Sequence, residues 1–226
     1  MEYMLDTVNI EDIRKYNEYF HITGVTSNPS IIKATGKIDF FNHFKEIRKI
    51  IGLDKSLHIQ VIAENYEGIM SEAKVILENV DKNVFIKVPV TQEGLKAIRA
   101  LKKLNIGVTA TAIYTKAQGF LAMEAGADFI APYFNRMENM DIDPREVITA
   151  FADIIDRDGY KTKILAASFK NMGQVNDAFL CGAQTATMAP EILETALKMP
   201  AIKKAVDDFG IDWKVIFGDK SITELV

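Results

Sequence analysis

The sequence is poor in cysteine: Cys181 is the only one among 226 residues. A single cysteine cannot form a disulfide within the chain, and such scarcity is typical of proteins that work in a reducing compartment. The first residues show no basic segment followed by an apolar one, so we expect no secretory signal peptide. Together these features predict a cytoplasmic protein.

Long apolar runs and an excess of basic charge are also missing. No run approaches the roughly 18 apolar residues that a membrane-spanning helix needs. The formal net charge at pH 7 is −4 and no basic cluster is present, which argues against a nucleic-acid partner. We therefore expect an enzyme or binding protein for a small molecule, without a membrane or nucleic-acid partner.

Short apolar runs alternate with amphipathic segments along the chain, and no linker separates them into domains. This alternation is typical of βα units around a parallel sheet, and eight units in 226 residues predict a single (β/α)8, or TIM, barrel domain over residues 1–226. A doubly wound open sheet is the alternative, but no glycine-rich phosphate fingerprint follows the first strand. The predicted strands are Tyr3–Thr7, Ile22–Thr26, Leu57–Ala63, Val84–Val90, Gly107–Tyr114, Phe129–Phe134, Lys163–Phe169 and Gln184–Met188.

The chain continues beyond the eighth unit with a further predicted helix over residues from about 201 to 217. Ile202, Val206 and Phe209 lie on one apolar stripe of this helix, which also holds the only tryptophan, Trp213. The helix could cover the bottom of its own barrel. Because an apolar patch of this kind usually marks an interface, we favour packing on a neighbouring subunit.

One lysine, Lys87, lies within the apolar run Val84–Val90. Burial disfavours the charged form of an amine and lowers its pKa, and a neutral amine in a pocket attacks carbonyl carbon atoms. The alternatives are a lysine that pairs with a buried carboxylate, or one that extends into water at the strand end. The run makes Lys87 a candidate Schiff-base lysine.

Functional residues of such barrels lie at the carboxyl ends of the strands. Polar residues occur there on seven predicted strands: Asp6, Thr26, Asn28, Gln60, Lys87, Thr109, Thr111, Tyr133, Arg136 and Ser168. Each also has an ordinary structural explanation, such as a helix cap at Asp6, a turn at Asn28 or a surface position at Arg136. Gln60, the threonines and Tyr133 could be hydrogen-bonded core groups. Their collection on one face favours a common site.

Several other chemistries lack their residues. His21, His43 and His58 show no metal-ligand spacing, and we expect His21 and His58 to lie at the other face of the barrel. No Gly-x-Ser-x-Gly elbow and no P-loop is present. We therefore expect no metal and no cofactor. A lysine with hydroxyl, amide and carboxylate neighbours and one arginine suits a ketone substrate with an anionic tail.

Five segments resemble the small transaldolases, and most closely their fructose-6-phosphate aldolase branch. They are Leu5–Thr7, Gly24–Ser30, Lys87–Leu95, Ala131–Arg136 and Ala166–Ser168, and they keep the family order over essentially the whole chain. The resemblance implies a class I enzyme without a metal or other cofactor. It also implies a homo-oligomer, as a decamer or pentameric rings.

The resemblance also implies roles for single residues. Lys87 matches the Schiff-base lysine of the family, Asp6 its strand-one carboxylate and Thr111 its strand-five threonine. The positions that hold the substrate and its phosphate are matched by Asn28, Arg136 and Ser168. Thr26, in the same motif as Asn28, joins the predicted substrate-binding set.

Two positions distinguish the branches of the family. Transaldolases carry glutamate on strand three and phenylalanine on strand six, whereas the aldolase branch carries glutamine and tyrosine, as at Gln60 and Tyr133 here. Thr109 departs from both patterns, which have asparagine or leucine there, and we expect it to contact the donor. The resemblance thus implies reversible cleavage of fructose 6-phosphate into dihydroxyacetone and glyceraldehyde 3-phosphate. The alternatives are a transaldolase of the pentose phosphate pathway and a catalytically idle barrel that binds sugar phosphate.

Overall fold

Eight parallel strands form a closed barrel in the computed structural model, which describes residues 1–226. The strands follow one another around the barrel in chain order, and the last pairs with the first. The predicted (β/α)8 barrel is therefore confirmed. The strands are β1 (Glu2–Asp6), β2 (Ile22–Thr26), β3 (Ser56–Gln60), β4 (Phe85–Pro89), β5 (Val108–Ile113), β6 (Phe129–Pro132), β7 (Lys163–Ala166) and β8 (Thr185–Met188).

Helices connect successive strands, and capping side chains mark where several of them begin. Asn9 accepts hydrogen bonds from the backbone N–H groups of Glu11 and Asp12, and Thr91 accepts one from Gly94. Two connections contain two helices each. The helices up to β8 are α1 (Ile10–Tyr19), α2 (Pro29–Thr35), α3 (Phe40–Ile51), α4 (Tyr66–Asn79), α5 (Gln92–Lys103), α6 (Lys116–Glu124), α7 (Phe134–Glu138), α8 (Pro144–Asp158) and α9 (Met172–Leu180).

The side chains of β4 show how the core is divided. Successive residues of a strand point to opposite faces, so Ile86 and Val88 face the helices, whereas Phe85 and Lys87 face the barrel interior. Phe85 stacks on His58 there, with ring centroids 4.9 Å apart. Because both faces of the strand are covered, the other four residues of β4 are apolar. Lys87 is the one charged residue in the strand, and it is buried.

The chain divides into two compact units, residues 1–190 with the barrel and residues 191–226. Helix α10 (Pro190–Thr195), helix α11 (Pro200–Phe217) and a 3₁₀ turn at Ile222–Glu224 follow the barrel strands. The additional C-terminal helix predicted from about 201 to 217 is thus confirmed. Within the second unit, Trp213 donates a hydrogen bond to the carbonyl oxygen of Lys220 at 2.7 Å. That the chain acts as one domain, and that α11 packs on another subunit, stay predictions.

None of the helices combines the length and the apolar character that crossing a membrane requires.

Candidate active site

Lys87 lies in the barrel interior near the carboxyl end of β4. Its side chain does not extend into water, since the residue is 4% exposed and Nζ donates a hydrogen bond to the carbonyl oxygen of Ser27 at 2.9 Å. Burial lowers the pKa of the Lys87 amine below its ordinary value, and the negative charge of Asp6 partly opposes this shift. The position thus favours a neutral amine, the form that attacks a carbonyl carbon.

Asp6 ends β1 and receives a hydrogen bond from the neighbouring strand. The hydroxyl of Thr26 donates to Asp6 Oδ1 at 2.6 Å and also lies 2.7 Å from the hydroxyl of Thr187. Burial raises the pKa of the Asp6 carboxyl, while Lys87, the Thr26 hydrogen bond and Arg136 oppose that rise. Because Asn9 caps α1, the explanation of Asp6 as a helix cap is wrong.

Thr111 on β5 and Tyr133, which directly follows the neighbouring strand β6, share a hydrogen bond inside the barrel. Their hydroxyl oxygens are 2.9 Å apart, and both residues are buried. The partner of the tyrosine hydroxyl is therefore the Thr111 side chain. Burial raises the pKa of the Tyr133 phenol, and the bond to Thr111 opposes the rise. The β5–β6 register shifts between Ala110 and Ile113, and Ala112 has φ +60°. This irregularity lies directly beside Thr111.

Gln60 ends β3 and pairs in register with Lys87. Its side-chain oxygen, Oε1, is buried and accepts no hydrogen bond from the protein. A buried acceptor without a donor is costly, so a water molecule or a substrate hydroxyl that donates to it would be held strongly. Gln60 is therefore not a satisfied core glutamine but a candidate contact for the reacting groups.

Arg136 and Ser168 lie on neighbouring connections, after β6 and β7. The guanidinium carbon of Arg136 is 4.8 Å from the centre of the Tyr133 ring, and Nη1 donates to the Tyr114 hydroxyl at 3.4 Å. Ser168 has φ +64°, and its carbonyl oxygen accepts a hydrogen bond from the backbone N–H of Asn135. The arginine is exposed yet packed on the candidate catalytic tyrosine, which places a positive charge at the mouth of the site.

Comparison with known proteins decides the family. Residues 3–221 match the family model described as transaldolase/fructose-6-phosphate aldolase. This chain belongs to that family. It is 52% identical over 222 residues to a probable fructose-6-phosphate aldolase from Streptococcus pneumoniae (strain ATCC 700669 / Spain 23F-1). The match covers 98% of this chain and 100% of the relative. The resemblance seen in the motifs is confirmed, and the chain is an enzyme of the aldolase/transaldolase type.

Asn28 and Thr109, both predicted to bind substrate, lie at different depths: Asn28 at the start of α2 and Thr109 inside the barrel. Asn28 caps α2, because its Oδ1 accepts hydrogen bonds from the backbone N–H groups of Ser30 and Ile31. The cap uses the amide oxygen and leaves the amide nitrogen as a donor. Thr109 is fully buried and precedes Thr111 by two residues on β5, so it lies one layer deeper in the barrel than the other site residues.

His58 lies in the barrel interior, and the prediction that it lies at the other face of the barrel is wrong. It does not lie at the far face but in the layer beneath Gln60, where Nδ1 is 2.8 Å from the Thr109 hydroxyl and Nε2 is 2.9 Å from Ser56 Oγ. Burial, aided by Lys87 and Arg48, lowers the pKa of His58 to about 3, so the ring is neutral. His58 lies two residues before Gln60 on β3, and residues two apart on a strand point to the same face, so the sequence could have identified it as inward-facing.

Across the whole chain, no group of three or more histidine, cysteine, aspartate and glutamate side chains is arranged to hold a metal ion.

Proposed function

We propose that this enzyme is a class I aldolase that reversibly cleaves fructose 6-phosphate into dihydroxyacetone and glyceraldehyde 3-phosphate. The observation that carries the proposal is Lys87, a buried amine with a lowered pKa in a site that also holds Asp6, Thr111 and Tyr133. Membership of the family and a relative named a probable fructose-6-phosphate aldolase support this substrate.

The first half of the reaction forms a covalent bond to the enzyme. Neutral Lys87 attacks the C2 ketone carbon of the open-chain sugar, and the resulting carbinolamine loses water to give an iminium ion. The electron pair of the C3–C4 bond then moves into this iminium, leaving an enamine on Lys87 and an aldehyde at C4. Protonation of the enamine at C3 and hydrolysis of the iminium release dihydroxyacetone and regenerate the amine.

The C4 hydroxyl must lose its proton while the C3–C4 bond breaks. The raised pKa of Tyr133 keeps its phenol protonated at rest, so Tyr133 accepts this proton only as it passes its own proton on. Thr111, hydrogen-bonded to the phenol, and a water molecule held at Gln60 Oε1 would complete the relay. In this mechanism the iminium on Lys87 accepts the electron pair of the C3–C4 bond, and Tyr133 accepts the proton of the C4 hydroxyl.

Substrate contacts follow from the polar groups around Lys87. We assign the hydroxyls of the dihydroxyacetone half to Asp6, Thr26 and the amide nitrogen of Asn28. Arg136 and Ser168 bind the phosphate, for which a guanidinium offers charge-assisted, paired hydrogen bonds. Thr109 acts indirectly, through its hydrogen bond to His58 beneath Lys87.

Trapping the imine tests the mechanism. Borohydride added with dihydroxyacetone should inactivate the enzyme and leave a reduced adduct on Lys87, located by peptide mass mapping. Lys87→Met should show neither adduct nor activity. An adduct on another lysine, or inactivation without an adduct, would show that the Schiff base does not form at Lys87.

A transaldolase that moves a dihydroxyacetone unit between sugar phosphates of the pentose phosphate pathway is the second candidate. The family description names both activities. The same enamine can add to a second aldehyde instead of being protonated at C3. Assays of fructose 6-phosphate with and without erythrose 4-phosphate separate the two. Cleavage without an acceptor supports the aldolase, strict dependence on the acceptor supports the transaldolase, and no turnover in either assay supports an idle sugar-phosphate-binding barrel.

We further propose that the enzyme works in the cytoplasm as a homo-oligomer, as a decamer or pentameric rings. The single cysteine supports the location, and the exposed apolar residues of α11 support the assembly.

A further inference from the structure

Helix α7, which carries Arg136, is too short to hold its own place. It has five residues, and Tyr133 at its N-terminal end makes no side-chain capping bond. A single helical turn is unstable by itself, because nucleation fixes several residues for one hydrogen bond. The position of Arg136 therefore depends on what holds α7 from outside.

Phe134 and Met137 anchor α7 in the core, and the side chain of Gln174, on α9, supplies polar contacts to its exposed side. Gln174 is 8% exposed, and its Nε2 donates to Asn135 Oδ1 at 3.1 Å and to Glu138 Oε2 at 2.6 Å. Asn135 and Glu138 flank Arg136 in the α7 sequence. One amide group thus binds side chains on both sides of the arginine.

The same side chain also holds the connection that carries Ser168. Gln174 Oε1 accepts a hydrogen bond from the backbone N–H of Lys170 at 2.7 Å. The backbone N–H of Asn135 donates to the Ser168 carbonyl oxygen at 3.0 Å, which closes the link between the two connections. Arg136 and Ser168, from different strands, are therefore tied to each other through Gln174 and Asn135.

An ordinary helix cap explains only part of this arrangement. Asn171 caps α9 by accepting from the backbone N–H of Gln174, and the Oε1 contact to Lys170 belongs to the same local structure. The two bonds from Nε2 reach across 36 and 39 positions of the sequence and contribute nothing to the cap. They need an explanation outside α9.

A second residue completes the support from α8. Arg145 binds Glu138 Oε1 at 3.0 Å and Asp177 Oδ2 at 2.5 Å, so the Glu138 carboxylate is held by Arg145 at one oxygen and by Gln174 at the other. The hydrogen bonds to Asp177 and Glu138 raise the pKa of Arg145, so its guanidinium stays protonated.

We propose that Gln174 is a positioning residue for phosphate recognition, which sets the distance between Arg136 and Ser168 by binding α7 and the connection after β7 at once. This inference rests on the proposed function, in which Arg136 and Ser168 hold the substrate phosphate.

The test compares a phosphorylated with an unphosphorylated aldehyde at a fixed donor. In Gln174→Leu, which keeps the size of the side chain but loses its hydrogen bonds, kcat/KM for glyceraldehyde 3-phosphate should fall by about 10- to 100-fold, mostly through KM. The kcat/KM for D-glyceraldehyde and the KM for dihydroxyacetone should change by less than about twofold, because α7 does not hold the donor. A loss of folded enzyme would lower the apparent kcat/KM for both aldehydes by the same factor and leave the KM values unchanged, and borohydride trapping counts the active sites.

Matched variants separate positioning from general damage. Glu72→Leu removes a side chain that binds the backbone N–H groups of Ile62 and Ala63 after β3, and it should leave the preference for the phosphorylated aldehyde unchanged. In Gln174→Glu, the new carboxylate lies against the carboxylate of Glu138 and repels it, so the preference for the phosphorylated aldehyde should be lost. Adding Glu138→Gln exchanges donor and acceptor, and this double variant should recover most of the preference.

The failures of the two proposals differ. If Arg136→Ala abolishes the phosphate preference but Gln174→Leu keeps it, the positioning role is wrong while the phosphate site stands. If Arg136→Ala itself keeps the preference, the phosphate site is wrong and the role of Gln174 falls with it. Equal losses in Arg136→Ala and in Arg136→Ala/Gln174→Leu would confirm that Gln174 acts through the arginine.

Discussion

At the scale of single residues, the protein places an amine and a carboxyl where burial acts on both. Burial lowers the pKa of Lys87 and raises that of Asp6, and the opposite charges of the two groups oppose both shifts. The carboxylate therefore works against the neutral amine that the proposed reaction needs. We infer that Asp6 is present for the substrate hydroxyls and not for the activation of Lys87.

The pH dependence of imine formation tests this balance. The rate of borohydride trapping at Lys87 should fall towards acid pH with a midpoint below 10.5, the ordinary value for lysine. Asp6→Asn removes the negative charge that favours the ammonium form, so the pKa of Lys87 falls further and the midpoint moves to lower pH. Initial trapping rates between about pH 5 and 10 measure the midpoint.

The control for that experiment is Asp219→Asn, whose carboxylate is exposed and should leave the midpoint unchanged. A midpoint that rises in Asp6→Asn would mean that Asp6 favours the neutral amine, contrary to the electrostatic argument.

The choice between cleavage and transfer also belongs to single residues. Gln60→Glu together with Tyr133→Phe should lower aldol cleavage by about 100-fold and raise transfer to erythrose 4-phosphate, because a glutamate carries protons and the phenol that serves free cleavage is gone. Both rates are measured in the wild type, the double variant and each single variant. An unchanged ratio of the two rates would show that these positions do not set the reaction type.

At the scale of elements, α5 closely approaches the end of β4, the strand that bears Lys87. Thr91 caps α5 two residues after β4, and Gly94 lies so close to the strand that a Cβ atom there would be 2.0 Å from the carbonyl oxygen of Pro89. The helix can approach the strand this closely only because position 94 has no side chain.

Two glycine-to-alanine changes test this contact. Alanine is the better helix former by about 1 kcal/mol, yet Gly94→Ala should lower the free energy of unfolding by about 1–3 kcal/mol because backbone atoms must move apart. Gly210→Ala in α11, where nothing of the same chain lies within 4 Å of the added atom, should raise it by about 0.5–1 kcal/mol. Denaturant titration measures both. A stabilising Gly94→Ala would contradict the close approach.

At the scale of the whole molecule, α11 exposes apolar side chains that a monomer does not need. Val206, Phe209, Val215 and Ile216 are 62%, 70%, 81% and 72% exposed. An apolar surface of this kind usually marks an interface, and helix α11 offers it along most of its length.

Truncation after Pro200 should therefore yield smaller assemblies in light scattering, while circular dichroism shows that the barrel is largely retained. Phe209→Asp should act in the same direction without a deletion, whereas Lys204→Ala, on a charged part of the same helix, should leave the assembly intact. If the truncated chain keeps its native subunit number, α11 covers its own chain and the interface assignment is wrong.

Much of the fold was determined by the sequence, because a parallel strand that is covered on both faces must be apolar along its length. All eight strands were found in this way, but the predicted ends ran too far at Leu57–Ala63 and Lys163–Phe169, where the observed strands end at Gln60 and Ala166. Buried residues continue into the connections after pairing has stopped, so apolar character overstates the strand. Helices α2 and α7 were missed because they are short and lack a helical repeat.

The candidate residues of the site could also be predicted from the sequence, since an isolated lysine in a buried strand and the family motifs are local features. Only the tertiary structure decided which groups meet: Thr109 bonds to His58, Gln174 bonds to Glu138, and Gln60 Oε1 is buried without a donor. Each of these contacts joins, or fails to join, residues from different strands and helices. The closure of the barrel determines such distances, and no periodicity within a single segment records them.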